Sequence, residues 1–163
     1  MPDTAKISLS ATILPEGFRK ELTGLSFSYT PDSTEGWLMK VINVTTSSAD
    51  LLSTDAIVQS SGKASETAMA TAATSDNVKF LFIKNTATTD GSTATNESVY
   101  MTFDGGTAAY NLTQGVEIPA GMSFYCKPMC TIANLHVVTG DANGDSGGEG
   151  AVQCLVAAII DDA

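Results

Sequence analysis

Charge is scarce in this sequence. Only 16% of its 163 residues are Asp, Glu, Lys or Arg, against roughly 25% in soluble domains. Basic groups are scarcest: 8 Lys and Arg stand against 18 Asp and Glu, for a net charge of -10. Such a field repels phosphate and argues against nucleic acid as a partner. No apolar run is long enough to cross a bilayer as a helix, so no membrane partner is expected. The opening residues, Met1-Pro2-Asp3-Thr4, lack the basic and apolar regions of a secretory signal. The sequons at Asn43, Asn96 and Asn111 then read as accidents of a Thr-rich chain. The 3 cysteines, Cys126, Cys130 and Cys154, cannot all pair within one chain, which points to synthesis in a reducing cytoplasm. There is no phosphate-binding loop, no dinucleotide fingerprint and no basic-aromatic patch, and no cofactor is expected.

What fills the gap is Thr and Ser, 21 and 16 of them. A solvent face of such residues suits strands better than helices. The apolar residues fall at period two. Ile7, Leu9, Ala11 and Ile13 alternate with Ser and Thr; so do Leu25, Phe27 and Tyr29, then Val99, Met101 and Phe103, then Met122, Phe124 and Cys126. Each reads as a half-buried strand. Three further segments, 37–44, 78–84 and 151–160, are apolar on both faces. One face of such a strand can pack into a sandwich; the other needs a loop, an arm or another subunit. Pro31-Asp32-Ser33, Asp104-Gly105-Gly106, Pro119-Ala120-Gly121 and the stretch 141–150 are turn chemistry. Residues 63–75 suit either one short helix or an extended edge segment. The fold class expected is all-β: an antiparallel β-sandwich, jelly-roll-like, with about 8–10 strands and at most one short helix. A single domain over residues 1–163 is expected, with 1–20 as an N-terminal arm that hinges at Pro15-Glu16-Gly17.

No motif makes a convincing reacting centre. Gly144-Asp145-Ser146-Gly147-Gly148 resembles the nucleophile segment of chymotrypsin-like serine proteases, but the only histidine, His136, lies ten residues upstream on the preceding strand. Asp141, Asn143, Asp145 and Glu149 alternate oxygen ligands as a calcium loop does. Ser146 stands where that loop needs Gly and Val152 where it needs a bidentate Glu, so a solvated acidic turn is the reading and no metal is expected. Cys126, Cys130, His136 and Cys154 lack the paired knuckles of structural zinc. His136 is expected beside Asn134 on a strand over Thr131 to Thr139, facing outward or towards a partner. The carboxylates are scattered through loops, with no pair set for acid/base work. An enzyme is not expected. Trp37, Tyr100, Tyr125, His136 and Ile159 are the candidate interface residues, and the aromatic ones could also stack on a sugar.

The second half of the chain carries a resemblance. Val78 to Thr86, Ser98 to Gly106 and Val116-Glu117-Ile118-Pro119-Ala120-Gly121-Met122-Ser123-Phe124 are followed by a strand, a Gly-rich hairpin and the apolar strand 151–160. Over roughly residues 78–160 this resembles small β-sandwich virion proteins of tailed bacteriophages, with an Ile-Pro-Ala-Gly turn before the last strands. The resemblance implies a capsid decoration (cement) protein that binds major capsid protein or other virion proteins on the outer shell. It further implies a homotrimer, located in the virion after synthesis in the host cytoplasm. The alternatives are a tail, collar or fibre component and, in another class, a carbohydrate-binding jelly-roll module. No catalytic residue carries over, and residues 1–65 resemble no named family.

Overall fold

The three segments that are apolar on both faces become adjacent strands of one sheet. The computed structural model describes residues 5–8, 26–32, 34–52, 56–59, 67–109, 115–140 and 150–161. Strands there are β1 (Ala5–Ser8), β2 (Ser26–Tyr29), β3 (Glu35–Val44), β4 (Ala49–Asp50), β5 (Ala56–Gln59), β6 (Thr67–Thr71) and β7 (Asn77–Asn85). They continue as β8 (Ser98–Thr102), β9 (Val116–Ile118), β10 (Ser123–Cys126), β11 (Cys130–Thr131), β12 (His136–Gly140) and β13 (Val152–Asp161). One 3₁₀ turn, Ile132–Asn134, is the only helical element among the described residues.

The large sheet has the order β10-β7-β13-β3-β5-β6, with β11 also on β7. The smaller one runs β4-β12-β8-β9, and β1 and β2 form a hairpin of their own. Every pairing is antiparallel. Strand β13 lies between β3 and β7, laddered to β3 from Val152↔Val44 to Asp161↔Glu35. A bulge at Ile159/Ile160 shifts its register on β7; Ile160 faces the core and Ile159 the opposite face, and both are buried. From β7 onward the chain passes repeatedly between the large sheet and the smaller one, as in a two-sheet antiparallel sandwich.

The core lies between these sheets. Leu38, Leu81, Ile83, Val156 and Ala158 from the large sheet meet Val99, Met101, Ile118 and Val137 from the smaller one. Their burial supplies the main cohesive force, at roughly 1.5–3 kcal/mol for each large side chain. Leu51, Leu52, Ile132 and Leu135 close one side of this core and are fully buried.

Of the two readings of 63–75, the extended edge segment is the one found: its described residues include the edge strand Thr67–Thr71, in keeping with β-branched Thr67 and Thr71. Two local expectations change. The strand foreseen over Thr131 to Thr139 is broken by the 3₁₀ turn, because Ile132 and Leu135 both reach the core at a spacing of three. The strand count exceeds the expectation chiefly because β4 and β11 are two-residue bridges. Of the foreseen arm, Ala5–Ser8 lies in the hairpin, and the hinge at Pro15 falls outside the described residues.

Candidate functional site

The large sheet has a second face, turned away from the core. Alternation puts the odd-numbered residues of β3 and β13 on it, together with Phe80, Phe82 and Lys84 of β7. Three cross-strand rows result. Phe80, Ile159 and Trp37 form the first. Tyr125, Phe82, Ala157 and Met39 form the second, and Ser123, Lys84, Leu155 and Val41 the third.

The first row is covered. Phe80 and Ile159 are buried beneath Tyr29, Trp37, Phe82 and Tyr125. Trp37 meets Phe80 edge-on, with centroids 6.2 Å apart and planes at 76°, the arrangement the ring quadrupoles favour. Tyr29 is fastened there from two sides. Its hydroxyl donates to Glu35 Oε1 at 2.7 Å, and Lys127 Nζ lies 5.1 Å from its ring centroid. Burial, then the bond to the Glu35 carboxylate, pushes the Tyr29 hydroxyl well above the usual phenol range. Glu35 Oε2 accepts from the Asp32 backbone N–H at 3.1 Å. Lys79 and Asp161 close this end with a 2.8 Å ion pair, whose hydrogen bond holds the ammonium pKa up.

The other two rows are open. Met39 is 60% exposed, Val41 56% and Leu155 42%. With Phe82 and Ala157 they line a shallow depression of about 390 Å³. A contiguous apolar patch of this kind marks an interaction surface more often than a lone exposed side chain does.

Among the described residues, no other surface gathers chemistry. Among the described residues, no three His, Cys, Asp or Glu side chains come together as a metal site. Cys126 and Cys130 ladder with β7 and are half-buried, while Cys154 is fully buried in β13. Burial pushes the Cys126 thiol up to about 11 and Cys154 up to about 12, so neither is an activated nucleophile. His136 sits in the other sheet, with Nε2 2.9 Å from Asp50 Oδ1 and Nδ1 2.7 Å from the Gly106 carbonyl. It ties β12 to β4 and to the turn after β8. A polar depression of about 620 Å³ is lined by Thr89, Thr93, Ala94, Thr95, Asn96 and Glu97, without an aromatic ring. Asp141, Asn143, Asp145, Ser146 and Glu149 lie outside the described residues.

Of the candidate interface residues, Trp37, Tyr125 and Ile159 meet on the outer face, whereas Tyr100 and His136 belong to the opposite sheet. Ile159 is fully buried and so lies under that face, not at its surface. The exposed residues Met39, Val41 and Leu155 were not singled out by sequence reasoning. Their signal was the two-sided pattern of β3 and β13, which shows that a cover is needed but not where the cover stops. No protein-family model, curated protein or solved structure matches the chain.

Proposed function

We propose that the chain is a structural protein of a tailed-phage virion, a decoration protein that binds the outer capsid surface and stabilises the shell. The observation that carries this reading is the open apolar face of the large sheet, together with the lack of convergent reactive groups among the described residues. Covering the exposed parts of Met39, Val41 and Leu155 is worth roughly 1 kcal/mol each. One such contact is weak against the cost of association. Repeated over a lattice of identical sites it accumulates, as a cement protein requires. The negative net charge keeps free copies soluble and away from packaged DNA.

The carbohydrate-binding reading has less support. Its aromatic candidates do not line one groove: Trp37 packs against Phe80, while Tyr100 lies in the other sheet.

The test is retention on particles. Purified chain is mixed with capsids of the phage that encodes it and sedimented, and capsid rupture on heating is followed with and without it. Stoichiometric co-sedimentation and a raised rupture temperature are expected, both lost in Val41→Glu. A chain that stays in the supernatant and is missing from purified virions ends this reading.

A further inference from the structure

The loop between β7 and β8 holds two carboxylates and treats them oppositely. Asp90 is exposed and well served: its Oδ1 accepts from the Ser92 and Thr93 N–H groups and the Ser92 hydroxyl, and its Oδ2 from the Thr93 hydroxyl. Glu97 is buried, at 7% exposure, and its Oε2 is shut from solvent with no hydrogen-bond partner. Among the described residues it is the only buried side-chain oxygen or nitrogen left in that position. Folded proteins leave few polar atoms so, because each one forfeits its hydration without return. The nearby amides are engaged elsewhere. Thr89 N–H donates to the Thr93 carbonyl, Thr95 N–H to the Ala87 carbonyl and Glu97 N–H to Thr95 Oγ1.

Glu97 also lines the polar depression of about 620 Å³, together with Thr89, Thr93, Thr95 and Asn96. The lining carries hydroxyls, an amide and a carboxylate, and no Lys, Arg or His. The missing donor therefore has to come from outside, and the lining selects its class. An anion finds no positive group there. A hard divalent cation takes roughly 6–8 oxygens, and no three acids gather among the described residues. A sugar finds no ring to stack on. An organic cation with several N–H donors can serve Glu97 Oε2 and the neutral oxygens beside it together.

We propose that this depression receives the guanidinium or ammonium head of an Arg or Lys side chain from a protein partner, with Glu97 Oε2 as its carboxylate acceptor. The charge of the chain favours a protein source, since a net -10 draws basic surfaces towards it. An open depression holds a small free cation weakly, whereas a side chain arrives with the neighbouring contacts of its own protein. The site shares no residue with the open apolar face, so it stands whether or not that face meets a capsid.

The isotope-labelled full chain is titrated at constant ionic strength with methylguanidinium, tetramethylammonium, calcium and a capped Gly-Arg-Gly peptide, and the Thr95, Asn96 and Glu97 amides are followed by NMR. Saturable shifts are expected with methylguanidinium and with the peptide, the peptide binding at least as tightly. None is expected with calcium or with tetramethylammonium, which has no N–H. Glu97→Gln should weaken both ligands about tenfold. Asn96→Ala, at an exposed position that leaves the core alone, should weaken them about threefold. Thermal unfolding without ligand gives an independent readout. Glu97→Gln should melt no lower than wild type, since a neutral amide costs less to bury unpaired than a carboxylate. The proposal is overturned by shifts that do not saturate, by equal binding in Glu97→Gln, or by tetramethylammonium or calcium binding as tightly as methylguanidinium. It is also overturned if Glu97→Gln melts several degrees lower, which makes the carboxylate a structural part. Methylguanidinium binding without a response to the peptide overturns the protein source and makes a free cation the occupant.

Discussion

Replacing Asn85 should be among the most damaging single changes in the chain. Asn85 is fully buried at the end of β7. Its Nδ2 donates to the Glu97 carbonyl at 2.8 Å and to the Ile118 carbonyl at 3.1 Å, and its Oδ1 accepts from the Ala87 N–H at 2.9 Å. One side chain thus joins the large sheet to the entry of β8 and the end of β9. In Asn85→Ala the half-exposed Ala87 N–H can turn to water, but the carbonyls of Glu97 and Ile118 lie in buried residues. Orphaning a buried polar group costs about 1–3 kcal/mol, so a loss of about 3 kcal/mol is expected. For a chain of this size that lowers Tm by roughly 6–12 °C. Asn85→Asp keeps the shape but points a carboxylate oxygen at two carbonyls. Desolvation raises the folded-state pKa of such an Asp above its unfolded value. The deficit of this variant should therefore be smallest at low pH, where the carboxyl regains a donor, and should grow as pH rises through the folded pKa. Urea unfolding of the three proteins across pH reads both effects. A loss below about 1 kcal/mol in Asn85→Ala would refute the claim that these bonds hold the sheets in register.

Three further outcomes follow from local geometry. Ala87 has φ +58°, a conformation that costs a non-glycine residue roughly 1–2 kcal/mol; Ala87→Gly should raise stability by about 0.5–1 kcal/mol in the same unfolding assay, after the entropic cost of glycine. The Asp90 carboxyl is lowered to about 2 by the backbone N–H groups of Thr93 and Ser92 and the Ser92 hydroxyl. Its folded pKa lies below its unfolded one, so its support of the turn is complete above the ordinary Asp pKa and is lost as pH falls through about 2; exchange protection of the Ser92 and Thr93 amides should persist at pH 4 and fade towards about 2. Iodoacetamide at pH 8 should leave Cys154 unmodified in the folded chain and modify it after unfolding, since that thiol is fully buried with its pKa raised to about 12; mass spectrometry distinguishes the two states.

The inward faces of β8 and β10 were legible because their chemistry is local: Val99 and Met101 are fully buried, and Phe124 and Cys126 pack on the core. The wet face expected for β8 is not found, since Ser98 and Thr102 are buried as well. The two-sided apolar pattern of β3, β7 and β13 was legible too, and it marks the inner strands of the large sheet. Their order was not. Placing β13 between β3 and β7 rests on ladders between residues far apart in sequence, and no local propensity encodes them. The 3₁₀ turn was hidden for a different reason: Ile132 and Leu135 face the core from a single three-residue turn, too short to show a helical period. At the candidate site, Trp37 and Tyr125 were legible as aromatic residues on a strand face. Met39, Val41 and Leu155 were not, because their exposure depends on how far Tyr29 reaches across the sheet.

The open face also has a stability signature that separates an interface from unfinished packing. Elsewhere the chain ends its wet surfaces in Thr and Ser, as at Thr45, Thr46, Ser47 and Ser123. Thr would serve equally well at Met39, Val41 and Leu155, since a β-branched residue suits an exposed strand position. A chain that only had to fold would gain solubility from that exchange and lose little cohesion, because all three side chains are more than two-fifths exposed. The triple variant Met39→Thr, Val41→Thr, Leu155→Thr should therefore unfold within about 1 kcal/mol of the parent, while its capsid retention collapses. That pattern, stability kept and assembly lost, is the cost a protein carries when a face is reserved for a partner. If the triple variant instead unfolds several degrees lower with no change in capsid retention, these side chains contribute to the fold of the single copy, and the assembly argument fails at its base.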